Sequence, residues 1–423
     1  MRSISFELSR LYRTKRNRNS KLMETCKSIN HCLACGESSL VLTLDLKSQP
    51  LANNFRKQVD LAEVKYPLAV NRCNNCNHLQ LTHVVDPKLI YENYLYVSGT
   101  SKTYTDYMVW YVDFVREYFV GDSITRVLDI GCNDGSQLDV FQKRVRCETY
   151  GVDPAENLYS RSSIRHKVTC GYWNQETANT LGEKFDVITS QNAFAHIPDP
   201  LTYLEIAGKC LTEKGKIFIS TSQADMVLNG EFDTIYHEHI SYYNAASMKA
   251  LAERAGLFLN DVVKTPIHGT SYIFVLSNKA VGMSRVENII NMEKAAGLDK
   301  AETYNKWAHR VDTLLSKLVS EVEAFQMQGY DIIGYGAAAK GMTLLNASKV
   351  HLDAVIDDNP LKQGTWCPGS DIPVVGIDYL KRIQNQPVVF IPLAWNFFNE
   401  IRNKIKAVRD NDTDKFLRYF PNY

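Results

Sequence analysis

No single charge dominates this sequence: 48 lysines and arginines stand against 47 aspartates and glutamates, a formal net charge of +1. A balanced chain has no whole-molecule field to collect nucleic acid or an anionic membrane surface, which directs attention to sites for small molecules. No run of about 18 uncharged apolar residues occurs, so no segment is expected to cross a bilayer as a helix. Internal repeats, low-complexity linkers, a secretory-type apolar leader and the spacing of a disulfide framework are also missing. The ten cysteines therefore fit a reducing compartment, and a cytoplasmic location is expected. Residues 1–22, basic and serine-bearing, read as an extension outside the folded modules, with Met23 as an alternative start.

A chain of 423 residues exceeds one ordinary core, and two or three domains are the natural expectation. The pattern divides it into 24–90, 91–280 and 281–423. In the second segment RVLDIG, TYGVDP, KFDVITSQN, GKIFISTS and YIFVLS are strands between helical stretches; in the third DIIGYG, LDAVIDDN, IPVVG and VVFIPLAWN follow a helical stretch over 284–328. Strands interleaved with helices imply an α/β architecture with two doubly wound, Rossmann-like sheets.

The first segment holds Cys32, Cys35, Cys73 and Cys76 as two CxxC pairs in turn-forming contexts, HCLACGES and NRCNNCNH. Four soft thiolates that can close a tetrahedron indicate zinc, and a site filled by four protein ligands is structural rather than catalytic. His31, His78 and His83 are left without a ligand role and read as surface residues.

In DIGCNDG the strand-to-helix turn carries Asp129, Gly131, Asn133, Asp134 and Gly135. Glycines let the backbone approach a ligand, and asparagine tolerates left-handed angles where a middle glycine is usual. An acidic residue inside this turn opposes a pyrophosphate but suits an amino-acid ammonium, which favours S-adenosylmethionine over NAD. Asp153, with Pro154 behind it, ends the next strand where it can accept from ribose hydroxyls, and Gln191 and Asn192 close the fourth strand at the ligand-binding end of the sheet.

FDTIYHEHISYYN gathers Tyr236, His237, Glu238 and His239, without the HExxH spacing of a zinc hydrolase. From the zinc quartet onward the ordered set DIGCNDG, NAFAHIPD, IYHEHISYY, IHGTS and GYGAAAKG resembles the sugar C-methyltransferases of deoxysugar biosynthesis, which methylate carbon 3 of nucleotide-linked 4-keto-deoxyhexoses. The resemblance implies that His239 is a general base, supported by Tyr236, Glu238, His196 and a tyrosine near Tyr96. An imidazole of ordinary pKa about 6.5 is largely neutral at working pH and suited to that role, with Glu238 or a neighbour fixing its tautomer. If the segment is extended, His237 points away from its neighbours and has no duty. His268 and Ser271 remain as wall residues, with Thr270 replacing the second glycine of the family's HGGS stretch.

In the third segment Gly334, Gly336 and Gly341 surround a strand-to-helix turn with Lys340 at the helix start, a phosphate-binding arrangement. Alone this suggests NAD; the resemblance implies instead that the unit holds the nucleotide diphosphate of a dTDP- or GDP-type ketosugar. It brings in Lys362, Gly364, Pro368 and Gly369 of KQGTWCPG and Trp395 and Asn396 of LAWNF, although Trp395 reads equally as core. The rival readings are S-adenosylmethionine-dependent methylation at oxygen or nitrogen and an NAD-dependent oxidoreductase using the third segment.

Overall fold

A computed structural model describes residues 25–60, 62–91, 98–100, 102–222, 225–265 and 270–420. The extension over 1–22, Tyr96 and His268 lie outside the described residues. Among these residues no helix is long and apolar enough to cross a membrane.

The N-terminal strands are β1 (Cys26–Ser28), β2 (Leu40–Gln49), β3 (Tyr66–Cys73), β4 (Leu79–Leu81) and β5 (His83–Val85). In β2 buried Leu44 and Leu46 alternate with exposed Asp45 and Lys47, the period of a strand with one face packed.

The central segment supplies β6 (Arg126–Ile130), β7 (Glu148–Asp153), β8 (Lys167–Cys170), β9 (Phe185–Gln191), β10 (Leu211–Ser222), β11 (Ser241–Tyr242), β12 (Phe258–Thr265) and β13 (Ser271–Ser277). All but β11 form one sheet in the order β12-β13-β10-β9-β6-β7-β8. Strands β6 to β10 are mutually parallel, whereas β13 runs antiparallel to both β10 and β12. Val127, Leu128, Val187, Ile188, Ile217 and Phe218 are fully buried, as parallel strands covered by helices on both faces require. The strand order reverses at β6, between β7 and β9, which opens a crevice at the carboxyl ends of these strands.

The helical stretch expected over 284–328 is two helices, Met283–Ala295 and Ala301–Met327. Gly297, at φ 84°, ends the first with a left-handed turn. Tyr304, Trp307, Val311, Leu318 and Val322 form the buried stripe of the second helix. Beyond it β14 (Asp331–Tyr335), β15 (Ala354–Ile356), β16 (Val374–Val375), β17 (Val388–Pro392) and β18 (Lys415–Phe416) make an all-parallel sheet in the order β16-β15-β14-β17-β18. The chain therefore holds the two doubly wound sheets expected from its sequence.

Two features join the modules. Strand β11 leaves the central sheet and extends the N-terminal one, whose order is β11-β4-β3-β2, with Ser241 opposite Gln80 and Tyr242 opposite Leu79. One apolar core also takes in Leu44 and Leu68 of the N-terminal sheet, Phe232 and Ile235, Trp307, and Ile332 and Leu352 of the C-terminal unit. Residues 231–242 are thus held on the N-terminal sheet and the C-terminal unit at once.

Candidate active site and metal centre

The CxxC pairs form two knuckles of like geometry. The Cys35 amide points at Cys32 Sγ (3.4 Å) and Gly36 N–H donates to the Cys32 carbonyl (2.9 Å). In the other, the Asn75 amide points at Cys73 Sγ (3.4 Å) and Asn77 N–H donates to the Cys73 carbonyl (3.0 Å). Gly36 and Asn77 supply the left-handed angles (φ 84° and 59°) that such turns need. Cys32 Sγ lies 3.6 Å from Cys76 Sγ and Cys35 Sγ 3.5 Å from Cys73 Sγ, and all four sulfurs fall within 4.8 Å of one another. A tetrahedron with zinc–sulfur bonds of about 2.3 Å has edges of about 3.8 Å, so the quartet fits zinc with no position open. His78 corrects the sequence reading: it is fully buried, its Nε2 3.2 Å from Ser241 Oγ, rather than at the surface.

A cleft of about 320 Å³ opens at the carboxyl ends of β6, β7 and β9. It is lined at one end by Gly131, Asn133, Asp153, Pro154, Gln191 and Asn192, and at the other by His196, Tyr236, His239 and Lys340. Gly131 sits at φ 85°, and a Cβ there would lie 2.6 Å from that of Ala193, so only glycine fits. Asn133 and Asn192 both adopt the left-handed region, at φ 51° and 55°. Asp153 accepts from the Asn133 and Ala155 amides, 2.8 Å each, which fixes its carboxylate at the cleft wall.

Asp134 and Gly135 do not line the cleft. Asp134 accepts from Gly99 N–H (3.2 Å) while Asn133 Oδ1 accepts from Ser98 N–H (3.0 Å), so these side chains clasp residues 98–100 over the glycine turn. Asp129 lies beneath the turn at 3% exposure, where burial and then the charge of Asp153 push it up to about 8. Asp129 Oδ1, Gln191 Oε1 and Asn192 Oδ1 are buried acceptors without a hydrogen-bond partner among the described residues. Two orphaned acceptors on the cleft wall and a third beneath the glycine turn suit a ligand that brings an ammonium and hydroxyl donors, and S-adenosylmethionine has both.

At the other end residues 231–240 are turns, not the extended segment considered from sequence. His239 N–H closes one such turn on the Tyr236 carbonyl at 2.9 Å. His239 Nδ1 donates to the Thr234 carbonyl (3.0 Å), leaving Nε2 as the lone-pair nitrogen, 2.8 Å from Tyr236 Oη. The His196 ring stands 5.0 Å from that of His239; its Nδ1 donates to the Glu238 carbonyl (2.8 Å) and lies 3.0 Å from Tyr91 Oη. Tyr91 and Thr234 were not singled out by sequence reasoning; the tyrosine-rich run beginning at Tyr91 was the available signal.

Glu238 does not orient His239. Its carboxylate accepts from Asn53 Nδ2 (2.5 Å), and burial raises it to about 7 against the pull of that bond and of Lys362. Lys362, lowered by burial, donates to the Ala337 carbonyl at 2.6 Å. His237 is buried with its Nε2 3.2 Å from the Tyr66 carbonyl. Ser271 is fully buried in β13, paired with Ser222 and Thr265, and does not line the cleft.

In the C-terminal unit Gly334 and Gly336 make room for Leu393 and Ala394, and Gly369 packs against Asn346. Gly364 (φ 77°) turns in open space and Asn396 is half-buried; neither lines the cleft. Trp395 is core, and its indole N–H donates to Asp233 Oδ2 at 2.7 Å. Lys340 lies over that indole, 4.9 Å from the ring centroid, and reaches the cleft of the central sheet.

Residues 32–91 match a family described as a zinc binding domain, 106–260 a methyltransferase domain, and 266–421 a C-methyltransferase C-terminal domain. The chain is 28% identical over 403 residues to C-methyltransferase NovU of Streptomyces niveus, covering 92% of this chain and 95% of that protein. A ubiquinone biosynthesis O-methyltransferase of Hydrogenovibrio crunogenus is 26% identical over 168 residues, covering 36% of this chain and 68% of its own length. Among solved structures, an S-adenosylmethionine-dependent methyltransferase from Clostridium acetobutylicum superposes with a TM-score of 0.33 at 15% identity, covering 42% of this chain and 92% of that one.

Proposed function

We propose a reaction for a chain that belongs to the S-adenosylmethionine-dependent C-methyltransferases: methylation of a nucleotide-linked 4-keto-deoxysugar at the carbon beside its ketone. The observation that carries this reading is the state of His239, whose Nδ1 is bound to a carbonyl while the residue lines the same cleft as Asp153.

A C–H bond beside a ketone is acidic only because the enolate moves charge onto oxygen, so the reaction needs a base and an acid on either side of that carbon. His239 Nε2 is the base, and the Thr234 carbonyl holds the ring in the tautomer that can take a proton. Tyr236 Oη, 2.8 Å from that nitrogen, donates its one proton to Nε2 in this structure; when the substrate C–H takes the place at Nε2, the hydroxyl turns that proton to the ketone oxygen. His196 buttresses the pair, its ring 5.0 Å from that of His239. Asp129, Asp153, Gln191 and Asn192 hold the cofactor, which supplies an electrophilic methyl group on a positively charged sulfur. Carbon rather than oxygen as the acceptor is supported by the likeness to NovU across 92% of the chain, against 36% for the O-methyltransferase.

The C-terminal unit binds the nucleotide of the sugar, so that remote binding energy orients a small reacting group. The test is incubation with a panel of dTDP- and GDP-linked 4-keto-6-deoxyhexoses and methyl-labelled cofactor. A mass gain of one methylene, with one-bond carbon–carbon coupling to the new methyl, is the expected result. Methyl on oxygen, or equal turnover of the free sugar, contradicts it.

A further inference from the structure

We propose that Lys340 is a catalytic residue rather than a phosphate anchor, its ammonium holding the oxygen of the enolate that His239 generates. The proposal rests on the reaction given above and adds a residue to it from a different domain.

Lys340 begins the helix Ala339–Ser348 of the C-terminal sheet, yet it lines the cleft shared by Tyr236 and His239. Among the residues lining that cleft it is the one lysine or arginine, the others being neutral or acidic apart from the two histidines. Its Nζ is buried and has no hydrogen-bond partner among the described residues. The Trp395 ring and the charge of the buried Asp233 carboxylate lie near it, yet neither supplies a hydrogen bond, and a buried ammonium left without acceptors is costly unless a ligand completes it.

The stem is also aimed. Lys340 rests over the Trp395 ring at 4.9 Å, and that indole is fixed by its 2.7 Å bond to Asp233 Oδ2, which Tyr419 Oη also approaches at 3.3 Å. Asp233 lies in the same turn-rich segment as His239 and is fully buried. The acid–base segment and the lysine are therefore locked to one another across the domain boundary.

Lys362 offers the contrast: its Nζ is taken by the Ala337 carbonyl and faces Glu238, so it is engaged where Lys340 is not. In the step assigned here the C–H bond beside the ketone breaks, the proton goes to His239 Nε2, and the electron pair passes to the ketone oxygen. The lysine ammonium and the Tyr236 hydroxyl receive that oxygen, and no oxidant or reductant is required.

The experiment measures solvent deuterium uptake at the acidic carbon of dTDP- and GDP-linked 4-keto-6-deoxyhexoses, without cofactor, at saturating sugar. It is paired with titration of dTDP, GDP and S-adenosylmethionine on the full chain. For Lys340→Gln the expected result is an exchange rate lower by about a hundredfold, the usual effect of one lost oxyanion donor, with all three affinities within about twofold of wild type. Lys340→Arg keeps the charge and recovers part of the rate. An unchanged saturated exchange rate with weakened nucleoside diphosphate binding overturns the proposal and makes Lys340 a phosphate anchor. If the wild-type chain neither exchanges nor methylates any sugar of the panel, the reaction itself falls, and this proposal with it.

Discussion

His78 Nε2 lies 3.2 Å from Ser241 Oγ, a contact between the residue two places after the zinc ligand Cys76 and the residue two places after His239. With the pairing of Ser241 to Gln80, it ties the metal knuckle to the segment that carries the imidazole. A zinc ion held by the quartet would thus brace the turn that carries His239.

Zinc removal should therefore damage turnover more than cofactor binding. Cys35→Ser, which leaves three thiolates, is expected to reduce bound zinc well below one ion per chain by elemental analysis. The same variant is expected to lower kcat by at least about tenfold while S-adenosylmethionine affinity, set in the other end of the cleft, changes by less than about threefold. Full activity in the zinc-free protein would contradict the link.

Asp129 gives the proposed cofactor site a proton signature. Held up to about 8 by burial and Asp153, it stays protonated in the fold at neutral pH, whereas in the unfolded chain it ionises near about 4. The fold then loses stability from this group as pH rises from about 4 to about 8. A docking ammonium favours the carboxylate, so binding of S-adenosylmethionine below pH 8 should release a proton and tighten as pH rises. Calorimetry in buffers of different ionisation enthalpy reads the release directly, and Asp129→Asn should abolish it.

Glu238 joins three modules, through Asn53 of the N-terminal unit and Lys362 of the C-terminal one. Glu238→Ala removes the acceptor of the half-buried Asn53 amide and the carboxylate near the Lys362 charge, at a cost of about 1–3 kcal/mol. A lower Tm, partly restored in Glu238→Gln, is expected. An unchanged Tm with a large loss of kcat would instead give Glu238 a contact with the sugar.

Gly131→Ala tests the glycine turn. A Cβ 2.6 Å from that of Ala193, on a backbone at φ 85°, forces the turn away from the ligand. Cofactor affinity should fall by at least about thirtyfold, as seen by titration, with far-ultraviolet circular dichroism unchanged.

Much of this was legible because it is local. The CxxC spacing brings each sulfur pair into one turn, and the apolar runs around Val127, Val187 and Ile217 report strands buried on both faces. The order of motifs placed Asp153, Gln191, Asn192, His196 and His239, which line one cleft. What escaped is long-range. Nothing near His78 announces Ser241, and an acidic neighbour in sequence made Glu238 the natural partner for His239, when the turn hands that role to the Thr234 carbonyl. The glycine-rich setting of Lys340 suggested phosphate, and only the tertiary fold brings it to the cleft that His239 lines.

The claim on which the rest depends is that His239 takes a proton from carbon, and His239→Asn with a nucleotide-linked ketosugar in deuterated water measures it most directly. The account expects the wild-type chain to exchange the hydrogen beside the ketone without any methyl donor, and the variant to slow that exchange by about a thousandfold while binding S-adenosylmethionine normally. Exchange that continues at the wild-type rate in the variant would contradict it.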